Sequence, residues 1–335
     1  TEFELNIQNV SNDNYLKIHD IKDYTPIIKS DSSLKSYFSI DRNVDEDTNL
    51  TSSVRMYEDL SKKQSDRYQY IFPDFNFTKN INIDDSYNGN FEFSSSGFQK
   101  LYDTNKYETL INNDFNFKSY DFISSSGLVT DYSLLLKNYN TYSENSSTYE
   151  NKNDHEIFGT FLLQTEYPLK KDLENNNNYL KPIAQIRFSP TNGKDISDSS
   201  GKLQYDNIFS PNRIGRSDMV EKGKSLTLGI EFEKQDFKNE KILGINLGNV
   251  FKDEKNNNLP RKSKLDQTRS DIVGNFYYKI DSLLELNYNF SYDRDLAFSN
   301  YDAVTAKLGS NKFISTFDYI TENHELGNTE TIKNK

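Results

Sequence analysis

The densest set of chemically capable side chains lies between Asp206 and Gly223, where Arg213, Asp218 and Glu221 stand within nine residues of one another. A guanidinium is a rigid planar fork that meets a carboxylate at two points. Arg213 paired with Asp218 or with Glu221 therefore makes a bidentate ion network facing a polar interior. The chemistry of such a network is fastening: it holds a long loop in one place.

Other clusters point away from catalysis. The basic group Lys252, Lys255, Arg261, Lys262, Lys264 and Arg269 suits either the phosphates of an anionic lipid or a charged loop that only stays soluble. Asp45-Glu46-Asp47 and Asp84-Asp85 offer hard oxygen ligands for a divalent cation, with solvated loop tips as the simpler reading. His19, His155 and His324 lie far apart without the spacing of a metal-binding helix. Neither a Gly-x-Ser-x-Gly elbow nor a phosphate-binding Gly-rich loop occurs, and Gly244 and Gly248 sit inside a strand pattern, where glycine relieves crowding or marks a bulge. The absence of cysteine removes disulfides, thiolate metal sites and cysteine nucleophiles. No catalytic residue, cofactor site or metal site is expected.

The elements that carry these residues read as strands. Leu226, Leu228, Ile230 and Phe232 alternate with Thr227, Gly229 and Glu231; Leu284, Leu286, Tyr288, Phe290 and Tyr292 alternate with Glu285, Asn287, Asn289 and Ser291. Each such strand has one oily and one wet face. The pattern recurs at 50–57, 67–72, 75–79, 89–95, 110–117, 132–136, 157–167, 179–188, 225–233, 242–251, 272–280, 284–292, 303–308 and 313–320, and the residues after Thr1 also read as a strand through Phe3, Leu5 and Ile7. Many of these segments are close to the roughly 9 to 11 residues that a tilted strand needs to cross a bilayer.

Composition supports the same architecture through an apparent conflict. Only 34% of the residues are hydrophobic and the net charge is −11, with a mean hydropathy of −0.84, which is poor material for a soluble core. Yet 23 Tyr and 23 Phe are far too many for a disordered chain. A closed membrane barrel reconciles the two, because its outer face meets lipid, its inner face meets water and its loops are polar. No apolar run approaches the roughly 18 residues of a spanning helix. The predicted fold class is all-β, a transmembrane antiparallel β-barrel, with Tyr277, Tyr278, Tyr288, Tyr292, Phe298 and Tyr301 suited either to an interfacial girdle or to cross-strand packing.

Connections divide into tight turns at Asp281-Ser282 and Ser310-Asn311, and long polar segments at 142–154, 170–178, 191–219 and 252–269. Short and long connections should lie on opposite sides of the membrane. The Asn runs 175–178 and 256–258 and the Ser triplets 94–96 and 124–126 read as loop filler. Strand and loop lengths together predict about 14 to 16 strands.

The run from Tyr179 through Pro182 and Gln185 to Pro190 resembles a strand of the lipopolysaccharide-assembly outer-membrane family LptD, also called OstA or Imp. The resemblance continues through Asn207, Phe209, Arg213, Gly215, Asp218, Glu221 and Gly223, then the strand 225–232, then Ser270-Asp271-Ile272-Val273-Gly274 and the strand pair ending at Tyr292-Asp293. Four blocks stand in order over about 115 residues. Residues 2–18, 68–77 and Glu166-Tyr167-Pro168-Leu169 are weaker matches, the last similar to alphaproteobacterial members. Ile208, Ile214 and Arg216 depart from the Leu, Phe and Gly often found in the family.

What the resemblance implies is a barrel of about 26 strands that takes lipopolysaccharide from a periplasmic bridge protein (LptA-like) and delivers it to the outer leaflet of the cell outer membrane. It implies that residues 1–335 are the middle of that barrel, without the periplasmic jelly roll or the first and last strands, and that alone they form an open curved sheet. Implied partners are lipopolysaccharide, a plug lipoprotein (LptE-like), the barrel-assembly machinery and outer membrane lipids, with no nucleic acid. A porin-like passive channel shares every compositional feature and is the competing expectation.

Overall fold

The computed structural model describes residues 1–21, 30–63, 65–82, 87–191, 195–197, 201–216, 218–238, 240–281, 283–310, 313–323 and 329–334. Asp84-Asp85, His324, Ser282 and Asn311 lie outside them. Eighteen strands and one four-residue helix are described, and the chain divides into two compact units, residues 1–117 with 136–157 and residues 118–135 with 158–335.

The first unit begins with β1 (Glu2–Asn6), β2 (Ser33–Asn43), β3 (Thr48–Asp59), β4 (Tyr68–Ile81) and β5 (Gly89–Tyr102). They pair as an antiparallel meander, with Phe3 opposite Ile40, Phe38 opposite Val54 and Leu50 opposite Phe77. The candidates 67–72 and 75–79 are one strand. Pro73 cannot donate to the ladder, and the register shifts around it against both neighbours, so the strand continues through a bulge. Strand β2 has no counterpart in the sequence reading, because its alternation is blurred by Lys35, Tyr37 and Arg42. Before it, α1 (Tyr15–Ile18) buries Leu16 against Leu34 and Leu60. Arg67 braces that end, donating to Asp13 at 2.7 and 3.0 Å and to Glu58 at 2.7 Å.

Strands β6 (Lys106–Ser119), β8 (Val129–Glu144) and β9 (Asn153–Glu166) have residues in both units. In the second unit the two-residue β7 (Phe122–Ile123) pairs with β8. There β9 and β10 (Leu169–Asp172) lie end to end along β11 (Asn176–Ser189), interrupted at Tyr167-Pro168. The meander continues through β12 (Gly223–Asp236), β13 (Lys241–Lys252), β14 (Ile272–Ile280), β15 (Leu284–Tyr292), β16 (Ser299–Ser310), β17 (Phe313–Glu322) and β18 (Thr329–Asn334). Each of these pairs is antiparallel. Successive connections therefore alternate between the two ends of the strands, with 173–175, 237–240 and 281–283 at one end and 190–222, 253–271 and 293–298 at the other.

Two expectations need correction. The segment 170–178 is not a long loop: Lys170–Asp172 pair with Asn177–Tyr179, and only residues 173–175 lie between the two strands. Asn176–Asn178 and Ser94–Ser96 are strand residues, not loop filler, because neighbouring strands bind their backbone whatever their own propensity.

The sheet of the second unit is inverted relative to that of a soluble protein. Leu226, Leu228 and Ile230 on β12 are 39, 43 and 39% exposed and Ile186 on β11 is 54% exposed, while Gln185, Arg187 and Thr227 are at most 2% exposed. The oily face looks outward and the polar face is covered. In the first unit the exposed face is lined by Phe3, Leu5, Phe38 and Val54, and the rings of Phe77, Phe93 and Phe115 pack tilted against one another in succession, with centroids 6.1 and 4.7 Å apart.

Candidate functional site: a fastened connection on the polar face

The covering of the polar face is the 190–222 connection. Its local structure follows from turn chemistry. Asn207 accepts from the Gln204 N–H at 2.9 Å and donates to the Lys202 carbonyl at 3.0 Å, closing a turn on itself. Gly215 takes a φ of +73°, which a side chain disfavours, and Asn212 braces that turn through the Arg216 carbonyl at 2.5 Å. The arginine that departs from the family's glycine at position 216 is accommodated, its guanidinium turned to Asp218 at 2.5 and 2.7 Å.

Between these turns the chain lays apolar side chains on the sheet where the sheet has none. A Cβ on Gly229 would stand 2.5 Å from the Phe209 ring, and one on Gly248 would stand 2.9 Å from Ile208. Real Cβ atoms do not approach that closely, so Gly229 gives room to the Phe209 ring, while at Gly248 a side chain would push aside only the tip of Ile208. Tyr205 packs edge-on against Phe209 with centroids 5.9 Å apart and donates to Glu231 at 2.9 Å.

Charge then fastens the second half. Arg213 donates from Nε to Glu221 Oε2 at 2.5 Å and from Nη2 to Oε1 at 2.9 Å, and reaches Thr227 at 3.2 Å and Ser225 at 3.0 Å. Lys252 stands 3.0 Å from the same carboxylate and donates to the Leu265 carbonyl at 2.8 Å. Arg187 takes the Glu221 and Pro211 carbonyls at 2.6 and 3.2 Å, and Gln185 takes the Phe209 carbonyl at 2.8 Å. Arg213 and Glu221 are each 1% exposed. Burial works to raise the Glu221 carboxyl, but Arg213, Lys252 and Arg187 outweigh it and hold it well below the usual carboxylate range.

The sequence-predicted residues thus separate. Arg213 meets Glu221, whereas Asp218 meets Arg216. Gly223, with φ of +114°, turns the connection into β12. Ser270 and Asp271 belong to a second cluster, at the entry to β14: the Ser270 hydroxyl accepts from the Val250 N–H at 3.0 Å, and Asp271 accepts from Ser291 at 3.1 Å and Asn300 at 2.7 Å. Burial pushes the Asp271 carboxyl up, against those two hydrogen bonds. Of the basic group, Lys252 is buried in the ion network while Lys262 and Lys264 remain partly exposed. Arg187, Gln185 and Thr227 were missed by sequence reasoning. Their signal was parity, since 185, 187 and 189 share the face that accepts the connection. Among the described residues no group of His, Asp and Glu is arranged to hold a metal ion.

Sequence comparison decides what kind of protein builds this arrangement. The profile of LptD, described as LPS transport system D, matches residues 1–334. The chain belongs to the LptD family. LptD proteins are outer-membrane proteins of a transport and assembly system, not a family of enzymes, and the inverted sheet is what membership requires. Among solved structures, the alcaligin outer membrane receptor FauA from Bordetella pertussis is similar over 90% of this chain and 66% of its own, just under two thirds, at 11% identity and a TM-score of 0.32. None of the curated proteins compared with the chain matches it.

Proposed function

We propose that the full-length protein delivers lipopolysaccharide to the outer leaflet of the outer membrane, with the strands described here forming wall and lumen. The observation that carries this reading is family membership over 334 residues, and the two-faced sheet supports it physically. Acyl chains favour hydrocarbon, whereas a saccharide dragged through lipid leaves polar groups unsatisfied at several kcal/mol each. A wall with an apolar outside and a polar inside lets each part travel in its own medium. A plug lipoprotein, a periplasmic bridge protein and the barrel-assembly machinery are the partners this role entails. In this reading Arg213 and Glu221 hold the 190–222 connection against the inside of the wall, narrowing the passage at the strand ends bearing the longer connections.

Depletion of the full-length protein, followed by assay of newly made lipopolysaccharide for access to the outer leaflet, tests the proposal. Accumulation inside with continued synthesis supports delivery. Normal surface delivery with reduced uptake of small solutes overturns it in favour of a porin-like channel.

A further inference from the structure

At the strand ends that bear the longer connections, residues 264–271 and 293–298 line a cavity of about 340 Å³. Arg269 is one of its walls, and the pairing around it fixes the face of the sheet that it serves. It stands opposite Phe251, and Phe251 stands opposite Leu226 on the apolar face. The guanidinium carbon lies 5.6 Å from the centre of the Phe251 ring, and Nε donates to Asn249 Oδ1 at 3.0 Å. Among the described residues the Arg269 side chain forms no ion pair, and its two Nη groups meet no acceptor. A guanidinium held at one edge in this way presents the planar fork that meets a phosphate at two points.

We propose that this rim docks the phosphate headgroup of a membrane lipid, whose acyl chains lie along the apolar face of β12 and β13. The inference rests on the sheet being a membrane wall and not on what the wall delivers. The acids of the cavity are engaged elsewhere. Asp271 accepts from Ser291 and Asn300, Asp293 accepts from the N–H groups of Asp295, Ala297 and Phe298 at 3.3, 2.6 and 3.2 Å, and Asp295 stands 3.4 Å from Arg294. Lys264 adds a second cation to the same lining as Arg269. Leu226, Leu247 and Phe251 are exposed on the apolar face beside Arg269, so the fork sits where hydrocarbon gives way to headgroups. A cation at that level is drawn to anionic lipid, and one molecule with a phosphate and acyl chains satisfies both the fork and the exposed side chains. A free phosphate satisfies only the first.

The test titrates the purified full-length protein, in non-ionic detergent micelles, with phosphatidic acid and with diacylglycerol of the same acyl chains, and counts bound lipid by native mass spectrometry. Phosphatidic acid should bind at least about tenfold more tightly, a difference of about 1.4 kcal/mol and no more than one charge-assisted hydrogen bond supplies. Arg269→Gln should remove most of that preference. Lys262→Gln, in the same connection but outside the cavity lining, should leave it unchanged. Heat-modifiable gel mobility establishes that each variant is folded. Equal binding of the two lipids, or an equal loss in the two folded variants, would overturn the site, the second by showing attraction to the charge of the connection as a whole. Displacement of phosphatidic acid by an equal concentration of inorganic phosphate would overturn the lipid as occupant and leave a site for a free anion. The readout is lipid retention, so its failure leaves lipopolysaccharide delivery standing, and a failed depletion assay leaves the binding result intact.

Discussion

Arg213 and Glu221, eight residues apart in one connection, close on each other at 2.5 and 2.9 Å while Lys252 reaches the same carboxylate at 3.0 Å from the end of β13. With Arg187 hydrogen-bonded to the Glu221 carbonyl, three cations surround a single buried carboxylate. The imbalance makes the carboxylate the member the cluster can least lose, and it orders the effects of substitution.

Glu221→Gln should release the connection most completely, leaving three buried cations without a counter-charge. Arg213→Ala should cost about 3–5 kcal/mol, the usual loss when one member of a buried pair is removed. Lys252→Met should be the mildest, because it removes one of the excess charges. Limited proteolysis of the folded barrel within 190–222, together with permeability to bulky antibiotics, measures the order. Equal protection of all three variants would show that apolar packing alone holds the connection.

The pH dependence of that protection follows from the depressed Glu221 carboxyl. A carboxylate whose folded value lies below its unfolded one contributes stability that is present above the ordinary range and is lost as pH falls through the folded value. Protease protection of 190–222 should therefore be level from neutral pH down to the ordinary carboxylate range, weaken as pH falls below it and fail in stronger acid. In Glu221→Gln the acid-dependent step should vanish.

Asp271 carries the opposite sign. Burial raises its carboxyl from an ordinary value of 3.8, so the stability it contributes is present below that value and declines as pH rises through the raised one. Asp271→Asn keeps an oxygen that accepts from Ser291 and Asn300 and removes the buried charge. The variant should be more stable than the parent at neutral pH by about 1 kcal/mol, within the range for relieving an ill-satisfied buried group, and the two should converge in acid. Urea unfolding from detergent micelles across pH 4–8 measures both limbs.

How much of this was legible beforehand depends on what kind of information each feature needs. Strand β15 could be read to the residue because Leu284–Tyr292 alternates without a break, and β14 because Ile272, Phe276, Tyr278 and Ile280 keep one parity through Gly274. Strand β4 was read as two because Pro73 interrupts the local pattern, and only the neighbouring strands carry the ladder across it. Arg213 was visible beside two carboxylates, Asp218 and Glu221, and only the folded connection gives it Glu221. Arg187 and Lys252 were not, because they come from strands on either side of β12 and meet the pair only when 190–222 folds back over the sheet. The glycines at 229 and 248 were visible as strand glycines, but the side chains that pack on them, Phe209 and Ile208, lie in that same returning connection.

Their fit makes a packing prediction. Gly229→Ala places a methyl carbon where the Phe209 ring now stands, 2.5 Å from its Cζ, and overpacking of this kind costs about 1–3 kcal/mol. The connection should loosen and become protease-sensitive without loss of the barrel. Phe209→Ala should loosen it too, yet the double variant should be less damaged than the sum of the two, since the clash is gone. A purely additive double variant would mean that the glycine serves the strand and not the connection.

The inverted sheet predicts which face tolerates charge. Leu228 lies near the middle of β12 and is 43% exposed on the apolar face, so in a bilayer it meets acyl chains. An arginine near the bilayer midplane costs about 2–4 kcal/mol on the lipid face of a barrel, whereas lumen positions are forgiving. Leu228→Arg should therefore lower the yield of folded protein in lipid vesicles, scored by heat-modifiable mobility, and Asn289→Arg, on the polar face of β15, should leave it near the parent. If the sheet were instead part of a soluble protein, arginine at the exposed Leu228 would be harmless and arginine at the inward Asn289 would do the greater damage. The sign of the difference between the two variants distinguishes a wall in lipid from a core in water, independently of anything the wall transports.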